Sequence, residues 1–371
     1  MFQNNDIHTA EDARQIARRC LPWMVFDYID GAAGDGHGEQ LNKDVLKNIR
    51  LRSRILVDVR ERNLGVSVLE QTAKCPFGIS PMGMCNLSSP GADLMLAKLA
   101  ANYQTPVGVS TVASTSLETM IETAQGNAWF QLYISGDGSS SAKLVDRARD
   151  SGYQTLVVTL DVPEVGRRPR ELRRGFKMPF KIGPNQFLDF ALHPRWSLTT
   201  LVKGRPEMGN FTGPGESFDR TESRASASWE KLNLLREKWP GKLVVKGVLD
   251  VDDAVRLKKC GVDAIQVSSH GGRQLNSAVP PILALNRIRK ALGDDYPLFY
   301  DTGIRSGEDV VKAYAMGANF VFLGRPLLFA IAAGQENGLT QFWDVLLDET
   351  SLTLAQIGKT SMQGLESTLS E

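Results

Sequence analysis

PLFYDTGIRSGEDVVKAYAMGANFVFLGR, residues 297–325, reads as strand, turn, helix, strand and turn. The runs 297–301 and 319–323 are almost wholly apolar, as a strand buried on both faces must be, and 307–317 between them reads as a helix. Toward the N-terminus the unit recurs. Strands are predicted at 263–267, 242–246, 155–160, 128–133, 106–110 and 76–80, and helices at 280–292, 250–260, 139–151 and 91–104. Eight strand–helix units in succession predict a closed parallel (β/α)8 TIM barrel of the α/β class, ahead of an open doubly wound sheet. A further helix is expected at 9–20, with Thr9 as its N-cap. The 371 residues suit a single domain, 1–371, with 162–241 as a long inserted loop region after strand four.

Composition removes several classes of function. Lys and Arg total 43 against 42 Asp and Glu, so the net charge of +1 does not suit a nucleic-acid binder. The four cysteines (Cys20, Cys75, Cys85, Cys260) are dispersed, with no CxxC pair, which suits a reducing, cytoplasmic setting. The four histidines are equally scattered, and no metal site is expected. The N-terminal residues are polar and acidic, with no leader-like apolar stretch, and no run of about 18 apolar residues exists to span a bilayer.

Strand ends share one face of such a barrel, where active sites form. Here they carry Ser110, Gln131 with Tyr133, Thr159 with Asp161, Lys246, Ser268 with His270, Asp301, and Gly324 with Arg325. Three constellations follow. DTGIRSG (301–307) and GRP (324–326) are glycine–arginine turns after strands seven and eight, the loops barrels use for phosphate, and helix starts add free N–H groups. SSHGGRQ (268–274) places Arg273 three residues after His270, a basic imidazole beside a carboxylate clamp. DVPEVGRR (161–168) offers Asp161 to hold His270 in one tautomer, and Arg167 or Arg168 as a second clamp.

These motifs, in this order, resemble the FMN-dependent 2-hydroxy acid dehydrogenase/oxidase family. SSHGGRQLN is similar to its signature, and the likeness runs from LPWMVFDYIDGAA (21–33) through WFQLY (129–133) and LVVKG (243–247) to LGRP. The resemblance implies FMN as cofactor and a small 2-hydroxy acid as substrate. His270 corresponds to the catalytic base and Asp161 to its partner. By the same resemblance Arg168 and Arg273 would bind the substrate carboxylate, Tyr28 and Tyr133 would hydrogen-bond the substrate, and Lys246 would lie beside the flavin N1/O2 edge. Ser110, Gln131, Thr159 and Ser268 are flavin contacts, Asp301 a ribityl-side contact, and Gly303, Arg305, Gly324 and Arg325 the phosphate site. The sequence departs from the family at Ser269, usually Asn, at Asn276, usually Asp, at Met82, commonly Thr, and at Pro169, which stiffens the turn after Arg168.

Gly83 and the stretch LHPRWSL…GRPEMGNF (192–211) resemble the mandelate dehydrogenase branch and the quinone-linked lactate dehydrogenases. A dehydrogenase donating to membrane quinone is therefore expected ahead of an oxidase donating to O2. A Schiff-base aldolase using Lys246 and a non-catalytic binder of anionic surfaces are the readings from other classes. Between Glu164 and Arg205 ten basic residues face three acidic ones, so this stretch would bind an anionic surface. Residues 177–211 interleave Lys177, Lys181, Arg195, Lys203 and Arg205 with Phe180, Phe187, Phe190, Leu192, Trp196, Leu198 and Leu201. That mixture predicts either peripheral docking on the inner face of the cell membrane or a lid packed on the barrel. Residues 204–228 read as a mobile passage. By analogy the family implies a tetramer.

Overall fold

The computed structural model describes residues 6–136, 138–176, 182–204, 206–211 and 223–370. A short antiparallel hairpin, β1 (Val66–Val68) and β2 (Gln71–Ala73), precedes the barrel. Eight parallel strands follow: β3 (Phe77–Met82), β4 (Val107–Ser110), β5 (Ala128–Leu132), β6 (Thr155–Thr159), β7 (Lys242–Val248), β8 (Ala264–Val267), β9 (Leu298–Tyr300) and β10 (Phe320–Leu323). They pair in chain order, and β10 closes on β3. Every residue of β5, β6, β8, β9 and β10 is buried, so the continuous apolar runs are explained by packing on both faces.

Inside the barrel Trp129, Phe299 and Phe322 meet with ring centroids 5.5–5.9 Å apart, joined by Val157, Val244 and Phe320. Val68 and Ala73 of the hairpin belong to the same cluster, and Glu70 pairs with Lys242, the first residue of β7, at 2.7 Å. The hairpin thus plugs the N-terminal end, and the site is built at the other.

All eight predicted strands are present within two residues of their expected limits, and Thr9 caps Ala10–Cys20 by accepting from the Asp12 N–H at 3.1 Å. Two N-terminal helices, Trp23–Asp30 and His37–Asn48, were not foreseen. The helix expected after the Gly324–Pro326 turn is Arg325–Gln356, which bends where Gly334 and Gln335 leave helical geometry.

The inserted loop region, 162–241, requires a correction, because it is largely helical among its described residues. It contains Pro169–Arg173, Pro184–Leu192, Pro194–Lys203 and Trp229–Lys238. Proline at the first turn of the first three supplies a preset φ and wastes no hydrogen bond, so what reads as a breaker is a start signal. The passage 204–228 is anchored in part. Asn210 is buried, accepts from the Leu117 N–H at 2.8 Å and donates to the Ser110 and Thr111 carbonyls. Lys177, Phe180, Lys181 and Arg205 lie outside the described residues.

Candidate functional site

Asp161 follows β6 and His270 follows β8. Barrel closure brings the His270 Nδ1 to 3.1 Å from Asp161 Oδ1. Gly247 makes room for this. Its φ is +99°, and a Cβ there would stand 2.5 Å from the Asp161 Cβ, so a side chain would push the carboxylate away. His270 itself has φ +56°, a conformation that costs a non-glycine residue about 1–3 kcal/mol and is held by its surroundings. Its N–H donates to Ser268 Oγ at 3.0 Å, and Ser268 Oγ also receives Lys246 Nζ at 2.7 Å.

The charges of this cluster are set by burial and by each other. Burial pulls the His270 imidazole below its usual range, against the opposing pull of Asp161. Asp161 is raised by burial, but His270 and Lys246 outweigh that and hold it below the usual carboxylate range. With Asp161 as acceptor, Nδ1 carries the proton and Nε2 keeps its lone pair. Burial lowers Lys246, yet Asp301 at 3.1 Å and Asp161 more than offset it, so the ammonium persists. A Schiff-base lysine needs the opposite shift, and the aldolase reading falls on that ground.

Arg168, Arg273, Tyr28 and Tyr133 line the same cavity as His270. Arg273 donates to the Tyr28 and Gly31 carbonyls, both at 2.8 Å, and its guanidinium carbon lies 5.4 Å from the Tyr28 ring centroid. Arg168 donates to the Arg273 carbonyl and to Gln274 Oε1. Burial, then Arg273, brings Arg168 down to about 10, which leaves it a cation at neutral pH. Burial, then Asp161, pushes the Tyr133 phenol up to about 12, so it stays a hydrogen-bond donor. Arg167 is exposed and is not among the residues that line this cavity.

A buried carboxylate that the sequence reading passed over joins the two arginines. Glu171 lies 2.8 Å from Arg273 and 3.6 Å from Arg168. In the sequence it is one of three acids in a strongly basic stretch. The available signal was Pro169, which starts a helix and so places residue 171 on the face of residue 168. Met208 and Arg224, from the insertion, also line the cavity.

Gly303, Arg305, Gly324 and Arg325 also line the cavity, with Gly303 at φ +87°. Arg325 donates to the Gly271 carbonyl behind His270. Ser110, Gln131, Thr159 and Ser268 are buried at the strand ends. Ser110 Oγ donates to Gln131 Oε1 at 3.2 Å, whereas Gln131 Nε2 and Thr159 Oγ1 have no partner among the described residues. Such atoms cost about 1–3 kcal/mol each unless a ligand or water satisfies them. Asp301 accepts from Gln266 at 2.7 Å and from Thr302 at 2.9 Å, besides Lys246. Both departures near His270 serve the fold: Ser269 accepts from Asn42, and Asn276 joins the Gly38 N–H to Asp35.

Residues 17–371 match the family described as FMN-dependent dehydrogenase. The chain is 38% identical to (S)-mandelate dehydrogenase of Pseudomonas putida over 365 residues, covering 96% of this chain and 92% of that one. It is 34% identical to L-lactate dehydrogenase of Pseudomonas syringae pv. syringae over 373 residues, covering 98% of each. Its backbone superposes on the crystal structure of monotopic membrane protein (S)-mandelate dehydrogenase with a TM-score of 0.94 at 37% identity, covering 98% of this chain and 99% of that one. Given that likeness over nearly its whole length, the chain belongs to the FMN-dependent dehydrogenase family and is an FMN-dependent oxidoreductase acting on CH–OH donors.

Proposed function

We propose that this protein oxidises an (S)-2-hydroxy acid to the 2-oxo acid and passes the electrons to a membrane quinone. The observation that carries the reading is one cavity in which the Asp161–His270 pair faces two arginines, Arg168 and Arg273.

The cavity suits FMN. Lys246 is a buried cation for the ring edge and the glycine–arginine turns suit the phosphate, while Gln131 Nε2 and Thr159 Oγ1, at the strand ends behind the lining, are buried polar atoms without partners among the described residues. Ser110, Ser268 and Asp301 complete the flavin side. When bound, FMN supplies the two-electron acceptor. Arg168 and Arg273 orient the substrate through its carboxylate, which confines C2 and its hydroxyl to one position. Tyr28 and Tyr133 direct hydrogen bonds at the same molecule. His270 Nε2 then takes a proton, and the Asp161 carboxylate stabilises the resulting imidazolium. The test is anaerobic. Titration of the purified, flavin-loaded protein with small 2-hydroxy acids is expected to bleach the flavin absorbance, and a soluble quinone to restore it. No bleaching with any 2-hydroxy acid sinks the reading, and faster recovery with O2 plus peroxide sinks the choice of acceptor.

Two observations support the dehydrogenase branch and the membrane. A Cβ on Gly83 would stand 2.5 Å from Val112 Cγ2, so the glycine that resembles the mandelate dehydrogenase branch cannot be enlarged without a shift. The apolar residues of the insertion also divide into two sets. Trp196 is buried, donates to the Leu87 carbonyl at 2.8 Å and stacks near Phe190, so these two pack on the barrel as the lid reading expects. Phe187, Leu192, Leu198 and Leu201 are 61–79% exposed, next to the exposed Arg195 and Lys203. In the helix Pro194–Lys203, positions 198, 201 and 202 share one face. An apolar face rimmed by cations is suited to an anionic bilayer surface. No helix among the described residues is long and apolar enough to cross a membrane.

A triple variant, Leu198→Ser, Leu201→Ser and Val202→Ser, is therefore expected to lose binding to anionic vesicles in flotation, while substrate still reduces the flavin at the parent rate. Retained flotation would leave the outward face without this role. Deleting the whole segment is a poorer test, because it removes Trp196 and Asn210 from the fold.

A further inference from the structure

The helix His37–Asn48 brings a carboxylate to the two arginines of the glycine–arginine turns. Glu39 Oε1 lies 3.3 Å from Arg305 and 3.5 Å from Arg325, and Glu39 Oε2 lies 2.9 Å from Lys43. We infer that Glu39 is a built-in counter-anion of the phosphate site, which holds Arg305 and Arg325 when flavin is absent and competes with the cofactor's phosphate for them. This rests on the placement of the FMN phosphate at those arginines.

Three features support it. First, the two contacts differ in strength. Charge-assisted bonds run at about 2.7–2.9 Å, so Glu39 is bound closely to Lys43 and loosely to the arginines. The loose pair is the one an incoming phosphate displaces, and Lys43 keeps the carboxylate compensated afterwards. Second, the Arg325 side chain is 12% exposed. A cation buried to that degree needs an anion at all times, because an uncompensated buried charge is strongly destabilising. Glu39 fills that need before phosphate does. Third, the carboxylate cannot drift. The Gly38 N–H donates to Asn276 at 3.0 Å and Asn42 donates to Ser269 at 3.1 Å, which fastens this helix to the loop carrying His270. A Cβ on Gly272 of that loop would stand 2.8 Å from the Glu39 Cα, so the two backbones are in contact.

The consequence is a flavin held less tightly than two arginines alone would hold it, together with a flavin-free protein that keeps its fold. A phosphate beside an ionised carboxylate loses part of the arginine charge it would otherwise receive.

The experiment measures dissociation constants of FMN and of riboflavin, which lacks the phosphate, by fluorescence quenching on flavin-free protein. Glu39→Gln is expected to tighten FMN binding about tenfold, to leave riboflavin binding unchanged, and to lower the melting temperature of the flavin-free protein more than that of the FMN-loaded one. FMN affinity unchanged by Glu39→Gln, or FMN and riboflavin shifting together, overturns the proposal. Arg325→Gln separates this from a failure of the underlying placement. If that variant weakens FMN and riboflavin equally, the phosphate does not sit at these arginines at all.

Discussion

Replacing His270 with Ala is expected to slow reduction of the flavin by substrate by about 10³-fold or more while FMN remains bound. The imidazole is the group in the cavity placed to accept a proton at neutral pH, since Asp161 is held ionised but spends its Oδ1 on His270, and Lys246 stays a cation. Removing the ring also leaves Asp161 buried without its partner, so His270→Gln, which keeps a donor for that carboxylate, guards against a mere loss of folding. Stopped-flow absorbance under anaerobic conditions checks both. Parent-like reduction in either variant removes His270 from the chemistry. The pH profile is a second readout. Burial, outweighing Asp161, sets the imidazole below its usual 6.5. The active form is the neutral one, so kcat/KM is expected to rise with pH through a value below 6.5 and then level off. Asp161→Asn removes the influence that raises the imidazole, and the rise should move to still lower pH with a reduced plateau.

Arg168→Lys and Arg273→Lys are each expected to lower kcat/KM for 2-hydroxy acids by about 100-fold, because a point ammonium cannot replace a planar bidentate fork. Arg273→Lys should be the more damaging, since it also gives up the bonds to the Tyr28 and Gly31 carbonyls that hold the end of the helix Trp23–Asp30. Arg167→Lys should stay within about twofold, as expected of an exposed side chain. Steady-state kinetics and binding of a small dicarboxylate inhibitor give the comparison. Equal losses at 167 and 168 would show that the neighbouring arginine also reaches the substrate.

The barrel was legible because its evidence is local. A strand buried on both faces must be apolar at every position, and Leu298–Tyr300 and Phe320–Leu323 display this without reference to any other part of the chain. The Thr9 cap and the glycine turns at Gly303 and Gly324 are local in the same sense. The residues of the candidate site were legible for a related reason: barrel geometry sends every strand end to one face, so polar groups at those ends can be read as neighbours. Three of the insertion's helices were hidden because they begin with proline, at Pro169, Pro184 and Pro194, and a proline reads as an interruption unless the structure shows it at a first turn.

What the tertiary structure alone decided are pairings across large chain separations. Asp161 and His270, 109 residues apart, became a hydrogen-bonded pair because Gly247 leaves space between β6 and β7. Glu171 became the link between Arg168 and Arg273, and Glu39 an ion-pair partner of Arg305 and Arg325, although neither stands out in a charged stretch. Phe190 and Trp196 turned inward while Leu198 and Leu201 turned outward, from one run of similar composition. Periodicity and turn chemistry report what a segment prefers for itself. Which charges meet, and which apolar groups remain uncovered, depends on the closure of the barrel and on where the inserted helices come to rest against it.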